Sequence, residues 1–222
     1  MTRRLATALL ALLALPALAQ TYEGNEIPPY EVVAEFGEAE VRAYAPYIVA
    51  EVTVEGDRDT ATEEGFRILA DYIFGANEAR SDIAMTAPVG ESREIEMTAP
   101  VGQSREIDMT TPVGQSGGEG EWTITFTMPS DWTLDTLPIP DSDRIDLREV
   151  DAHREAVWRF DGVQSDATLD RAEAELRAAL DAAGIAPEGP PRWYFYDDPS
   201  TPADARRNEV AFTVSGSVDL PK

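Results

Sequence analysis

The chain of 222 residues predicts an α+β fold: duplicated strand–strand–helix–strand–strand halves forming a distorted antiparallel barrel with two main helices. Three observations predict it. Short stretches of period-2 alternation flank two stretches of helical period. The second half replays the first at a constant offset of 106, so that Leu147-Arg148 falls on Val41-Arg42, and Ala156, Trp158 and Phe160 fall on Ala50, Val52 and Val54. Both helical stretches end at a glycine, Gly75 and Gly184.

Residues 1–19 read as a signal peptide. Arg3 and Arg4 make a positive start, Leu5–Leu15 an apolar run too short to span a membrane, and Ala17-Leu18-Ala19 a small-x-small cleavage site that leaves Gln20 first. Plain Leu and Ala after the arginine pair favour the general secretory route over the twin-arginine route. The expected destination is a bacterial periplasm. No other apolar run is long enough to span a bilayer. Residues 20–29 are a polar lead-in ending at Pro28-Pro29. A single domain then covers 30–215, in halves of about 30–129 and 144–215, with a tail at 216–222.

Within the first half, Tyr30–Phe36 reads as a strand and Gly37-Glu38 as a turn. Val41–Tyr44 is a second strand. Tyr47–Val54 alternates with Ile48, Ala50, Val52 and Val54 on one face. Thr60–Phe74 carries Phe66, Leu69, Ala70 and Ile73 at helical spacing, with Glu63-Glu64 suited to a first turn. Trp122–Met128 places Trp122, Ile124, Phe126 and Met128 on one face of a strand. Leu137–Pro140 is a proline-rich connection. In the second half a strand ends at Gly162, a helix over Thr168–Ala183 aligns Leu169, Ala172, Leu176 and Leu180, and strands follow at Trp193–Tyr196 and Glu209–Val214.

Between the first helix and Trp122 the chain repeats itself three times with period 12: IAMTAPVGESRE, IEMTAPVGQSRE, IDMTTPVGQS. The even period keeps parity, so Ile83, Met85, Ala87 and Val89 share a face, as do Ile107, Met109, Thr111 and Val113. Each proline removes a ladder donor, which suits strand ends or edges. Gly90, Gly102 and Gly114 are placed at turns, and the polar run after each at a loop. A single slot in a sheet needs one copy. The spare copies are then either a local expansion forming an exposed hairpin, or a means of lining a pocket with methionine.

Charge and composition exclude several classes. With 42 acidic against 18 basic residues and a net charge of −24, the chain lacks the basic stripe that a nucleic acid needs, and an anionic membrane surface is disfavoured. Cysteine is absent, so the fold rests on its core, and thiol catalysis and cysteine metal sites are excluded. No Gly-rich phosphate loop, His/carboxylate metal cluster or nucleophile elbow accompanies the single His153, so no enzyme is expected.

Taken together, EEGFRILADYIFGAN (63–77), IAMTAPV (83–89), FTMP (126–129), LPIP (137–140), the pair Phe160 and Gly162, and YDDPSTPADARRNEV (196–210) resemble the SOUL haem-binding protein family over Tyr30–Val214. The chain looks like an exported bacterial member with a triplicated MTAPV motif. The resemblance implies the same duplicated α+β barrel. It also implies non-covalent binding of haem or a related tetrapyrrole in an apolar groove beside the first helix, the MTAPV strand and the loop before RRNEV. Carried onto this sequence, the wall is Phe66, Leu69, Ile73, Met85 and Val89, with Tyr196 and Pro199 on the loop side. Arg67, or Arg206 and Arg207, are the candidates to meet propionates. Thr201 departs from the pattern, because some animal relatives carry a lysine in that loop. Arg206, Arg207 and Glu209 have an alternative structural reading, as ion pairs.

His153 is the one imidazole available to iron. Alternation turns it away from the face marked by Ala156, Trp158 and Phe160, so a solvated or strand-end histidine is expected and no residue is assigned to a metal. Binding by apolar contact follows, with a methionine or tyrosine as the weak-ligand option. The expected role is periplasmic scavenging, buffering or delivery of a tetrapyrrole. The alternatives are a carrier of another apolar small molecule, or an interaction module that uses exposed MTAPV repeats.

Overall fold

The computed structural model describes residues 20–80 and 104–215. The signal segment, the first repeat with Met85 and Val89, residues 95–103 of the second repeat, and the tail from 216 lie outside the described residues. In chain order the first half contains β1 (Gln20–Tyr22), β2 (Asn25–Ile27), β3 (Tyr30–Phe36), β4 (Ala39–Tyr44), β5 (Tyr47–Glu55), α1 (Arg58–Ile73), β6 (Asn77–Glu78), β7 (Val113–Gly118) and β8 (Glu121–Thr127). The rest contains β9 (Ile139–Pro140), β10 (Asp146–Val150), β11 (His153–Asp161), α2 (Asp166–Ala183), β12 (Pro187–Phe195), a 3₁₀ turn at Ala203–Ala205 and β13 (Arg207–Val214).

Nine strands form one antiparallel sheet in the order β10-β5-β8-β7-β12-β13-β11-β4-β3. Exchanging β4, β5, β7 and β8 for β10, β11, β12 and β13 reverses that order over its first eight strands. The first strand of each half pairs within the other half: Leu147 lies opposite Ala50, and Val41 opposite Ala156. The sheet curls into a half-barrel. Tyr47 of β5 and His153 of β11 come within 6.0 Å, ring centroid to centroid, although four strands separate β5 from β11 in the order.

Both helices cover the same face. Asp57 caps α1 by accepting from the Thr60 N–H at 3.0 Å, and Ser165 caps α2 by accepting from Thr168. Gly184 ends α2 in the left-handed conformation at φ 69°. α1 turns Ala61, Gly65, Ile68, Leu69, Tyr72 and Ile73 onto β5 and β8, against Ala50, Val52, Val54, Ile124 and Phe126. The predicted face was close to this, but Ile68 and Tyr72 belong to it and Phe66 stands outside. Gly65 has a packing reason, since a Cβ there would meet Ile124 Cγ1 at 2.5 Å. α2 buries Leu169, Ala172, Leu176 and Leu180 on β11 and β13, as its periodicity requires. Each fully buried leucine contributes about 1.5–3 kcal/mol by area.

The polar lead-in is a hairpin, β1–β2, rather than an open arm. Ile27 enters the core, and the Glu26 carbonyl accepts from the Thr111 N–H at 2.9 Å.

The third repeat is the copy found in the sheet. Its Val113–Ser116 run starts β7, between β8 and β12. The expected alternation fails before that point. Ile107 is buried beneath α1, Met109 is exposed, and Thr111 is buried with its hydroxyl donating to the Tyr196 carbonyl at 3.0 Å. The chain there is held by point contacts, not a ladder. Asn77 brackets Arg105, and the Ile107 N–H donates to the Ile73 carbonyl. Period 2 needs a ladder, so it does not apply. Gly114 is also not a turn. It lies mid-strand, where a Cβ would fall 2.2 Å from Thr125 Oγ1, and the chain reverses instead at Gly117–Gly120.

Candidate functional site

On the helix-covered face, a groove of about 480 Å³ opens between α1, the start of α2, β7 and the loop after β12. Phe66, Val113, Phe195, Leu169 and Pro199 supply its apolar wall. Phe66 is the distinctive member. It is 43% exposed, and its ring meets Phe126 edge-on at 5.3 Å. An aromatic ring left open beside a groove is a contact surface in search of a partner.

The polar rim is mostly acidic. Asp59 and Glu63 come from α1, and Asp197 and Asp198 from the loop. One cation stands among them. The Arg58 guanidinium lies over Trp122 at 4.7 Å and Trp193 at 5.2 Å, and its Nη1 reaches Asp166 at 3.4 Å. Its Nε is buried and has no hydrogen-bond partner among the described residues. That donor fits a carboxylate of a ligand.

The sequence-derived residues divide. Phe66 and Pro199 line the groove together. Leu69 and Ile73 sit on the same helix but turn to the sheet, buried in the core. Met85 and Val89 lie outside the described residues; Val113 is the third-repeat equivalent of Val89 and stands on the wall. Arg67 is on the outer side of α1, where its Nη1 approaches Asp71 at 3.8 Å. Arg206 clamps the loop: Nε donates to the Thr201 carbonyl at 2.8 Å and Nη2 to the Pro199 carbonyl. It positions Pro199 and has spent donors that a propionate would need. Thr201 takes part in the same loop, donating its N–H to the Asp198 carbonyl.

Tyr196 and Arg207 belong to the other face of the sheet. The Tyr196 hydroxyl donates to Glu209 Oε2 at 2.9 Å, and the Arg207 guanidinium stacks 4.0 Å from the Tyr196 ring while bonding Glu209 Oε1. Arg207 and Glu209 project to the concave side of β13, with Asn208 between them donating to the Gly162 carbonyl at 3.0 Å. The structural reading of RRNEV therefore applies to Arg207 and Glu209, which form a buried ion pair. His153 is also on the concave side. It is turned away from the helices as alternation requires and stands at a strand start. It is not solvated: its side chain is 15% exposed, 3.6 Å from the fully buried Glu155.

Sequence reasoning missed Arg58, Val113 and Phe195. Arg58 did carry a signal. A cation in the first turn of a helix opposes the macrodipole and so needs another reason to be there.

Comparison with known proteins adds the following. A family model described as SOUL heme-binding protein matches residues 25–213. Among solved structures, the EcmrR C-terminal domain superposes with a TM-score of 0.55 at 12% identity, covering 85% of this chain and 99% of that one. A hydrolase from Listeria innocua gives 0.51 at 14% identity, covering 82% and 94%. Another structure from Listeria innocua, described as an uncharacterized conserved protein, gives 0.51 at 13% identity, covering 80% and 92%. At these identities the likeness is one of fold. A search of curated proteins returned no match.

Proposed function

This chain belongs to the SOUL heme-binding family, and from that premise we propose that it binds haem or a related tetrapyrrole, non-covalently, in the groove beside α1. The observation that carries the proposal is the half-exposed Phe66 on a wall with Val113, Phe195 and Pro199. The volume of about 480 Å³ falls within the range of about 300–1,000 Å³ usual for ligand pockets. A flat macrocycle edge set against Phe66 gains apolar contact, and Arg58 is placed to receive one propionate. Haem, when bound, supplies an iron centre. Among the described lining residues none is histidine, methionine or tyrosine, so those residues hold the ring by apolar contact. The protein is read as a binder and not an enzyme, exported to the periplasm and acting in scavenging, buffering or delivery.

A hemin titration followed at the Soret band tests this. Saturable one-to-one binding is expected, weakened about tenfold by Phe66→Ala and unchanged by Tyr196→Phe. Arg58→Gln should weaken hemin but not its dimethyl ester. The absence of saturable binding would overturn the proposal. The four rim carboxylates favour a second reading, a carrier of neutral apolar molecules. Saturable uptake of the neutral dye Nile red without hemin binding would select it.

A further inference from the structure

The concave face, opposite the helices, encloses a second cavity of about 270 Å³. This is below the range of about 300–1,000 Å³ for common ligand pockets and calls for something smaller than a tetrapyrrole. Tyr44, Tyr47 and Tyr194 line it, with Arg148 from β10 and Arg192 from β12. Thr123 and Thr125 of β8 and Glu51 of β5 line it as well.

The hydrogen-bond balance of this cavity is one-sided. The two carboxylates beside it are each engaged by an arginine. Glu155, buried beneath the floor, accepts from Arg192 Nη1 at 2.6 Å and from the Tyr194 hydroxyl at 3.0 Å and 3.1 Å on its two oxygens. Glu51 Oε2 accepts from Arg148 Nη2 at 2.7 Å. The donors are not used. Arg192 engages Glu155 and Thr213 through Nη1 alone, leaving Nε and Nη2 without a partner among the described residues. Arg148 likewise leaves Nε and Nη1. The Tyr47 hydroxyl has no partner among the described residues. Burial, then the nearby charge of Glu155, pushes the Tyr47 phenol up, so it stays a donor. Surplus donors from two guanidiniums favour an anionic acceptor, and bordering rings favour a planar body. The surplus is one of donors and not of net charge, since Glu51 and Glu155 each answer one of the two guanidiniums.

We propose that the concave cavity is a second ligand site, separate from the groove beside α1, that takes a small aromatic carboxylate. The carboxylate sits between Arg148 and Arg192 with the Tyr47 hydroxyl, and the ring lies among Tyr44, Tyr47 and Tyr194.

The test is an amide NMR titration of the ¹⁵N-labelled exported chain with three probes at millimolar concentration: benzoate, benzylamine and glucuronate. Saturable shifts are expected with benzoate alone, on β5, β8, β10 and β12. Arg148→Gln, at an exposed side chain whose loss leaves the core intact, should weaken benzoate about tenfold. Tyr47→Phe should weaken it less. Hemin should leave the benzoate affinity unchanged, because it is expected on the other face. Benzylamine binding as well as benzoate overturns the charge argument, and glucuronate doing so overturns the ring argument. Shifts centred on Phe66 and Pro199, or no saturable shift, overturn the site.

Discussion

Arg42 of β4 and Glu209 of β13 form a buried bidentate pair although β11 lies between their strands, with Nη1 2.6 Å from Oε2 and Nη2 3.0 Å from Oε1. The pair passes over β11 on the concave face, and Arg207 adds a second guanidinium to Glu209 Oε1. Burial opposes the charge of Glu209, but the two guanidiniums outweigh it and hold the carboxylate below its usual range.

Removing Glu209 leaves the buried Arg207 guanidinium without its ion-pair partner and leaves Arg42 with Glu40 alone. Glu209→Ala is expected to cost about 3–5 kcal/mol in urea denaturation, because an unpaired buried charge is worse than no charge. A loss under about 1 kcal/mol would show that water reaches the arginines and that the pair is not sealed.

His153 makes stability pH-dependent above neutrality. It stacks on Tyr44 at 5.1 Å with ring planes 9° apart, and Nδ1 lies 2.8 Å from the Asp151 carbonyl. Burial favours the neutral ring, but the charge of Glu155 3.6 Å away and the hydrogen bond to the Asp151 carbonyl outweigh burial and raise the imidazole above its ordinary value. A raised folded pKa gives stability that is complete below about 6.5 and is lost as pH rises through the folded value. Burial also opposes the charge of Glu155, yet His153 and Arg192 hold it low, so its contribution appears above about 4.3 and is lost as pH falls through the folded value. Urea midpoints should therefore fall from about pH 6 to 8 in the wild type. His153→Gln should flatten this alkaline arm and retain the acid one. An unchanged alkaline slope in His153→Gln would assign the effect to another group.

Gly114 and Thr125 should be coupled. Gly114→Ala places a methyl against Thr125 Oγ1, and is expected to cost about 1–2 kcal/mol. With Thr125→Ala in the background, the remaining neighbours of that methyl are the Cβ at position 125 and Tyr194 Cε1, both at 3.6 Å and both ordinary contacts, so the cost should disappear. Additive effects in the double-mutant cycle would argue against the clash.

Phe66 and Leu69 separate wall from core on one helix. Phe66→Ala should leave the urea midpoint nearly unchanged while weakening hemin. Leu69→Ala should cost about 2–5 kcal/mol, since Leu69 is fully buried. Equal destabilisation by both would place Phe66 in the core.

Local pattern was enough for both helices, for the longer strands outside the repeats and for the helix-covered core. The predicted Tyr30–Phe36 strand coincides with β3, and Thr60–Phe74 overlaps α1 at Arg58–Ile73. Leu169, Ala172, Leu176 and Leu180 lie buried as their spacing requires. The Val41–Ala156 and Leu147–Ala50 pairings obey the offset that relates the halves. These features depend on alternation and helical period, which are written in neighbouring residues. The fate of the second face was not written there. Alternation says only that His153, Tyr196 and Arg207 oppose the helices. Whether that side is solvent or the inside of a half-barrel depends on how far nine strands curl, and here the curl buries it. The same limit explains Gly114, whose reason is a threonine on the neighbouring strand, and Arg58, whose indoles come from β8 and β12. Period fixes which way a side chain points, but only the closed tertiary structure decides what it meets.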